Sequence, residues 1–193
     1  MSAIAIIPAR GGSRRIPGKN KKPFHGRPII EYAIQAAKDS SLFRLICVTT
    51  DDTEIAEIAL KNGCMAIHRG REWAQDHVGT QEVMAETVKW FQDDYACCIY
   101  PTVPLLSSDD LLGALIDLKS NQAMAYCMAV CSEPHLHDAG QFYWGNRKAF
   151  QQRTPLIHNH TIMYSIHPER DCDINTMEDW TMAEKMYEKL QYE

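Results

Sequence analysis

Short apolar runs alternate with longer amphipathic stretches through the first 130 residues of the chain. That rhythm is the pattern of strand–helix–strand units wound into a parallel sheet. Strands are expected at 3–7, 44–49, 64–67, 96–99 and 124–130, with helices at about 28–39, 53–62, 80–92 and 109–119 between them. The second helix shows why: Ile55, Ile58 and Ala59 share one face behind the candidate caps Asp52 and Thr53. After residue 130 the rhythm changes. Gln141–Trp144 and His160–Ile166 read as strands of a small antiparallel extension at about 131–166, a common place for a dimer contact. Met177 to Leu190 reads as a closing helix, since Trp180, Ala183, Met186, Tyr187 and Leu190 repeat at helical spacing. The expected class is α/β, with a Rossmann-like, doubly wound, mostly parallel sheet and a small antiparallel extension. With 193 residues and no internal repeat or linker, one domain spanning 1–193 is expected.

In such a sheet, ligands bind beyond the carboxyl ends of the strands, so the loop after the first run is the place to look for a site. It reads Pro8-Ala9-Arg10-Gly11-Gly12-Ser13-Arg14-Arg15-Ile16-Pro17-Gly18-Lys19-Asn20. Paired glycines let backbone N–H groups approach anion oxygens, and Arg10 and Lys19 supply neutralising charge. The charge distribution agrees. The net charge is −5, yet the first thirty residues carry seven Lys or Arg and no Asp or Glu. A local cation cluster on an acidic protein fits a phosphate site, whereas a nucleic-acid binder is basic over a whole face. Two familiar phosphate loops do not match. A P-loop needs Gly where Ser13 stands and a hydroxyl where Asn20 stands, and a dinucleotide loop needs Gly-x-Gly-x-x-Gly rather than adjacent Gly11-Gly12.

The stretch from Ile6 to Asn20 resembles the signature of the CMP-sialic acid synthetases and their relatives, the cytidylyltransferase superfamily. The resemblance continues through Val48-Thr49-Thr50-Asp51-Asp52, Arg69 with Ala74-Gln75-Asp76, Pro101-Thr102-Val103-Pro104-Leu105, and Asp173-Ile174-Asn175-Thr176-Met177-Glu178-Asp179-Trp180. These blocks keep family order over nearly the whole chain. Tyr100, which stands where sialic acid enzymes usually carry Gln, Leu106 in place of Arg, and the stretch His137–Trp144 resemble the pseudaminic acid branch.

The resemblance implies the nucleotide-diphospho-sugar transferase fold and an enzyme that joins an acidic nine-carbon sugar to CMP from CTP. Pseudaminic acid is the expected sugar, with sialic or legionaminic acid as alternatives and a catalytically impaired nucleotide-binding homologue as the alternative of another class. It implies that Arg10, Gly11, Gly12, Ser13, Arg14, Lys19 and Asn20 hold the CTP phosphates. Arg69, Asp76, Thr80 and Tyr100 would complete nucleotide recognition, and Tyr100, Gln141 and Tyr143 would line the sugar pocket. Arg10, Lys19 and Asp173 are the implied catalytic residues, with Mg²⁺ as cofactor. The family's metal pair is Asp-Ile-Asp, and alternate positions of an extended segment share a face. Here the pair is Asp173 and Asn175, so one carboxylate is an amide, and Asp171, alternating onto the same face, is a candidate third ligand. Relatives also carry a longer segment where Cys131–Pro134 joins His135–Asp138. A homodimer is the implied assembly.

The remaining signals are read as structural. His135 with His137, and His158 with His160, sit at alternate positions, but no Cys or carboxylate lies at characteristic zinc spacing around them. Cys97 and Cys98 would face opposite sides of a strand as small hydrophobes. The seven cysteines include no Cys-x-x-Cys pair and follow no secretory leader, so reduced thiols in a cytoplasmic protein are expected. No apolar run approaches the length of a membrane span. The aromatic residues are not interleaved with cations as in a nucleic-acid stacking surface. Neither a nucleic-acid nor a membrane partner is therefore expected.

Overall fold

The computed structural model of the chain describes residues 2–131 and 135–191. Its elements in chain order begin with β1 (Ala3–Pro8), β2 (Pro23–Phe24), β3 (Arg27–Pro28), α1 (Ile30–Asp39), β4 (Leu45–Thr50), α2 (Thr53–Lys61) and β5 (Met65–His68). There follow α3 (Thr80–Thr87), β6 (Tyr95–Ile99), α4 (Ser108–Ser120), β7 (Tyr126–Cys131), β8 (His137–Asn146), α5 (Arg147–Gln151), β9 (Thr161–Ser165) and α6 (Met177–Gln191). Seven strands form one sheet in the order β5-β4-β1-β6-β8-β7-β9.

β1 is parallel to both β4 and β6, which lie on opposite sides of it, and β4 is parallel to β5. The winding therefore reverses beside β1, which opens a crevice at the carboxyl ends of β1, β4 and β6. β8 runs antiparallel between β6 and β7, and β9 returns parallel to β7 at the edge. The antiparallel part of the main sheet is thus β8 alone, placed inside the sheet. The strand expected at His160–Ile166 is a parallel edge strand, because the chain leaves β8, passes α5 and pairs on the far side of β7, which runs opposite to β8.

Alternation along the strands explains the two helical layers. Ala5, Ile7, Val48, Cys97 and Ile99 face α1, α2 and α4, while Ile4, Ile6, Cys47, Ala96 and Cys98 face α3 and α5. Ile4 to Ile7 are at most 1% exposed, and burial of each isoleucine side chain contributes about 1.5–3 kcal/mol. A third cluster closes one end of the molecule. There Trp180 and Ala183 of α6 pack with Ile16, Phe24 and Tyr32, and the Phe24 and Trp180 rings meet edge to face at 5.5 Å.

Local chemistry sets several element ends. Asp52 accepts the N–H groups of Glu54 and Ile55 at the start of α2, and Ser107 accepts that of Asp109 at the start of α4. α1 begins at Ile30 rather than near 28 because Pro28 belongs to the β2–β3 ribbon, whose tight turn places His25 (φ 43°) and Gly26 (φ 84°) in the left-handed region. α3 ends at Thr87 and gives way to a 3-10 turn over Val88–Trp90, which shortens the helix expected over 80–92. Of the join between Cys131–Pro134 and His135, residues 132–134 lie outside the described residues.

Candidate functional site

A cavity of about 690 Å³ opens at the carboxyl ends of β1 and β6. Four further segments complete it, one of them the chain from Asp76 to Val83 that leads into and begins α3. Arg69 follows β5, Asp138 and Gly140 open β8, and Asp173 and Asn175 lie on the chain leading into α6. β8 can contribute because it is antiparallel, so its first residues reach the edge where its parallel neighbours end. Its register fixes this: Phe142 is opposite Ile99, the last residue of β6, and the Tyr100 N–H donates to the Gln141 carbonyl at 2.8 Å.

The basic loop after β1 is held from within and from across the sheet. The Gly11 N–H donates to Asp51 at 2.9 Å, and the Asn20 side-chain amide donates to the Arg10 carbonyl at 2.8 Å. A Cβ on Gly11 would stand 2.8–2.9 Å from Asp52, so only glycine fits there, whereas one on Gly12 would meet nothing within 4 Å. Lys21 pairs with Asp52 and Glu54 and anchors the loop to α2.

The charged groups inside the cavity are unevenly satisfied. Asp76 bridges the guanidinium groups of Arg10 and Arg14, each at 2.5 Å, and the hydrogen bond from Arg10 is the main reason its carboxyl titrates below the usual range. Arg69 differs. It is 7% exposed, and its Nε and one terminal nitrogen have no hydrogen-bond partner. Burial lowers its pKa, against the attraction of Asp51. A buried guanidinium with unpaired donors is costly and marks a place for an anionic or acceptor-rich ligand. Lys19 donates to the Ile174 carbonyl at 2.6 Å; burial lowers its pKa, partly opposed by Asp173. Burial likewise raises the pKa of Tyr100, so its hydroxyl is a neutral donor.

Asp173 and Asn175 form a linked pair. The Asn175 amide nitrogen donates to Asp173 at 2.6 Å, and its oxygen accepts from Arg15 at 2.7 Å. Gly140, at φ 60°, lies directly under Asp173; a Cβ there would approach the carboxyl carbon to 2.9 Å. The donor set is therefore one carboxylate plus an amide oxygen, all hard oxygen. That fits a divalent ion that takes its other ligands from substrate phosphates and water.

Most residues singled out in the sequence converge here: Arg10, Ser13, Arg14, Lys19, Asn20, Arg69, Asp76, Thr80, Tyr100, Asp173 and Asn175 all border the cavity. Others do not. Gly11 packs against Asp52, Gly12 is exposed with open space beside it, and neither borders the cavity. Gln141 is 1% exposed and spends its amide on the Arg170 carbonyl, and Tyr143 packs with Tyr126 and Phe150 under α5. In mid-sheet, β8 side chains point away from the cavity, so Gln141 and Tyr143 do not border it, whereas the strand's opening residues Asp138 and Gly140 do. Asp171 does not border the cavity; its carboxylate is 2.9 Å from His137 Nε2. Arg15, Asp138 and Gly140 were missed as site residues, although Arg15 lies in the basic loop and the other two lie in the His137–Trp144 stretch.

The model of the family described as Cytidylyltransferase matches residues 4–192. The pseudaminic acid cytidylyltransferase of Campylobacter jejuni (serotype O:2) is 31% identical over 224 aligned positions, covering 97% of each chain. That alignment is longer than the 193-residue chain, so the relative carries positions this chain lacks. The CMP-N,N'-diacetyllegionaminic acid synthase of Legionella pneumophila is 46% identical over 121 residues, 60% of this chain and 52% of that protein. Among solved structures, a CMP:2-keto-3-deoxy-manno-octonic acid synthetase complexed with CTP superposes with a TM-score of 0.80 at 16% identity. It covers 98% of this chain and 100% of the other, a likeness of fold.

Proposed function

The chain belongs to the cytidylyltransferase family, and on that premise we propose that it couples CTP to pseudaminic acid, giving the CMP-sugar and pyrophosphate. The observation that carries the proposal is the buried Arg69, with two unpaired donors, bordering the same cavity as the Arg10–Lys19 loop. A polyphosphate satisfies all of these cations at once.

In this reading the triphosphate lies along the loop, and Arg10 and Arg14 exchange Asp76 for phosphate oxygens. Lys19 and Arg69 neutralise charge nearer the buried end. The anomeric hydroxyl of the sugar attacks the α-phosphorus; a new P–O bond forms, the hydroxyl O–H bond breaks and its proton is lost to water, the bridging α–β P–O bond breaks, and pyrophosphate leaves with its electron pair. Transfer of this kind depends on positioning and charge stabilisation rather than on a protein nucleophile. Asp173, supported by Asn175, is the residue to hold Mg²⁺, which supplies neutralisation of phosphate charge when bound. Asp138 and Gly140 border the end of the cavity next to Asp173, where the sugar is placed. The segment at about 131–166, which ends in the edge strand β9, is the proposed homodimer contact.

Pyrophosphate release from CTP with a panel of pseudaminic, legionaminic and N-acetylneuraminic acids tests the proposal. Release with pseudaminic acid, at least about tenfold faster than with the others, is expected. Preference for another acid corrects the sugar, and no release with any of them overturns the reading. The hydrogen bonds already made by Asn175 favour one second reading, a scaffold that binds CTP without turning it over.

A further inference from the structure

We propose that Cys131, His137 and Asp171 form a zinc site separate from the nucleotide cavity. Cys131 ends β7 and His137 begins β8, and the two face each other across the antiparallel ladder. Pairing thus sets a thiol beside an imidazole from residues six positions apart. Asp171 arrives from the segment ahead of α6, with its Oδ2 2.9 Å from His137 Nε2. One ligand atom from each of the three lies within 4.8 Å of the others, so an ion at about 2.0–2.3 Å from each needs only small side-chain adjustments.

The orientation of the imidazole supports coordination. His137 Nδ1 is 2.7 Å from the His135 carbonyl and donates to it, which leaves Nε2 turned toward Asp171 and the cluster. Metal-bound histidines are commonly fixed in this way by a backbone carbonyl on the second nitrogen. Thiolate, imidazole and carboxylate together suit zinc, whereas Mg²⁺ takes oxygen ligands. The same residue types also make nucleophilic triads. Here both ring nitrogens already face oxygen acceptors, so neither is free to take the thiol proton.

Binding breaks the S–H bond of Cys131, and the N–H bond of Nε2 where that nitrogen is protonated; the protons leave to water as Zn–S and Zn–N bonds form. Cys131 is buried, while His137 and Asp171 are 46% and 21% exposed at the side chain. The open side admits the ion and leaves a position for water. The ion would clamp the start of β8 to the segment that carries Asp173 two residues later, and so would brace the cavity wall from outside. Among the described residues this is the one such group of three. The sequence hid it because His135, an apparent second imidazole ligand, contributes its carbonyl instead.

The test uses the full chain, prepared without a histidine tag, stripped by chelator and titrated with Co²⁺ and then Zn²⁺. One equivalent of Co²⁺ giving a thiolate-to-cobalt charge-transfer band, displaced by Zn²⁺, is expected. Cys131→Ser should abolish the band, and His137→Gln at a half-exposed position should weaken binding at least about tenfold, with His160→Gln as an unaffected control. If Cys131→Ser does not fold, His137→Gln and Asp171→Asn carry the test. Absence of uptake at micromolar Co²⁺, or a band unchanged by these variants, overturns the site.

Discussion

Arg69 is the residue on which the site depends most. Its unpaired donors mean that the ligand, rather than the fold, satisfies it. Arg69→Met should therefore lower CTP affinity by about 2–4 kcal/mol, the usual loss when one member of a buried charged pair is truncated. The melting temperature should hold or rise, since a buried unpaired cation is removed. Calorimetric titration and thermal unfolding of the same variant check both. The adjacent glycines offer a contrast. Gly11→Ala drives a methyl into Asp52 and should cost about 1–3 kcal/mol in urea unfolding, whereas Gly12→Ala should leave stability within about 0.5 kcal/mol. Residue types and spacing made the basic loop legible in the sequence, because cations and glycines directly after a first strand have few other uses. The lack of partners around Arg69, and the capture of Arg10 and Arg14 by Asp76, depend on packing between segments remote in sequence.

At the scale of elements, β8 and α6 decide how the cavity is finished. The apolar part of β8 was visible as Gln141–Trp144, but a strand's neighbours are long-range facts that its own sequence does not state. Its position between β6 and β7 is what moves the site contacts from Gln141 and Tyr143 to Asp138 and Gly140. Similarly, alternation placed Asp171 and Asp173 on one face, but the 3-10 turn at Pro168–Arg170 and the contact with His137 divert Asp171. The α6 helix was read from its periodicity, and its start holds the site. Asp179 accepts the N–H groups of Asn175 and Thr176 at 2.8 and 2.7 Å, and Thr176 accepts that of Asp179 in return. Chiefly through the Asn175 N–H, these bonds depress the Asp179 pKa. A carboxylate with a depressed folded-state pKa contributes stability above its unfolded value of about 3.9 and loses it as pH falls through the folded value. Asp179→Ala should thus cost about 1 kcal/mol near neutrality. The difference from wild type should shrink in the most acidic unfolding curves, and a pH-independent difference would contradict the assignment.

Across the whole molecule, the charge asymmetry read from the sequence becomes a cationic loop at one edge of an otherwise acidic protein, and no helix among the described residues is long and apolar enough to cross a membrane. The seven cysteines are all buried. Burial pushes the thiols of Cys47, Cys98, Cys127 and Cys172 up to about 12, so almost no thiolate forms at neutral pH. A thiol reagent should leave these four unlabelled in the native chain and label them in denaturant; rapid native labelling of the four would show that the fold opens. In the proposed reaction this cavity, with Asp173 and an amide at 175, completes nucleotidyl transfer. The direct measurement is ³¹P NMR of CTP, Mg²⁺ and pseudaminic acid with the wild-type chain, repeated with Asn175→Asp. Pyrophosphate and a CMP phosphodiester should appear in equal amounts with wild type, and at lower Mg²⁺ with Asn175→Asp, if the cavity is the site of transfer. CTP that binds yet stays intact with wild type would contradict it.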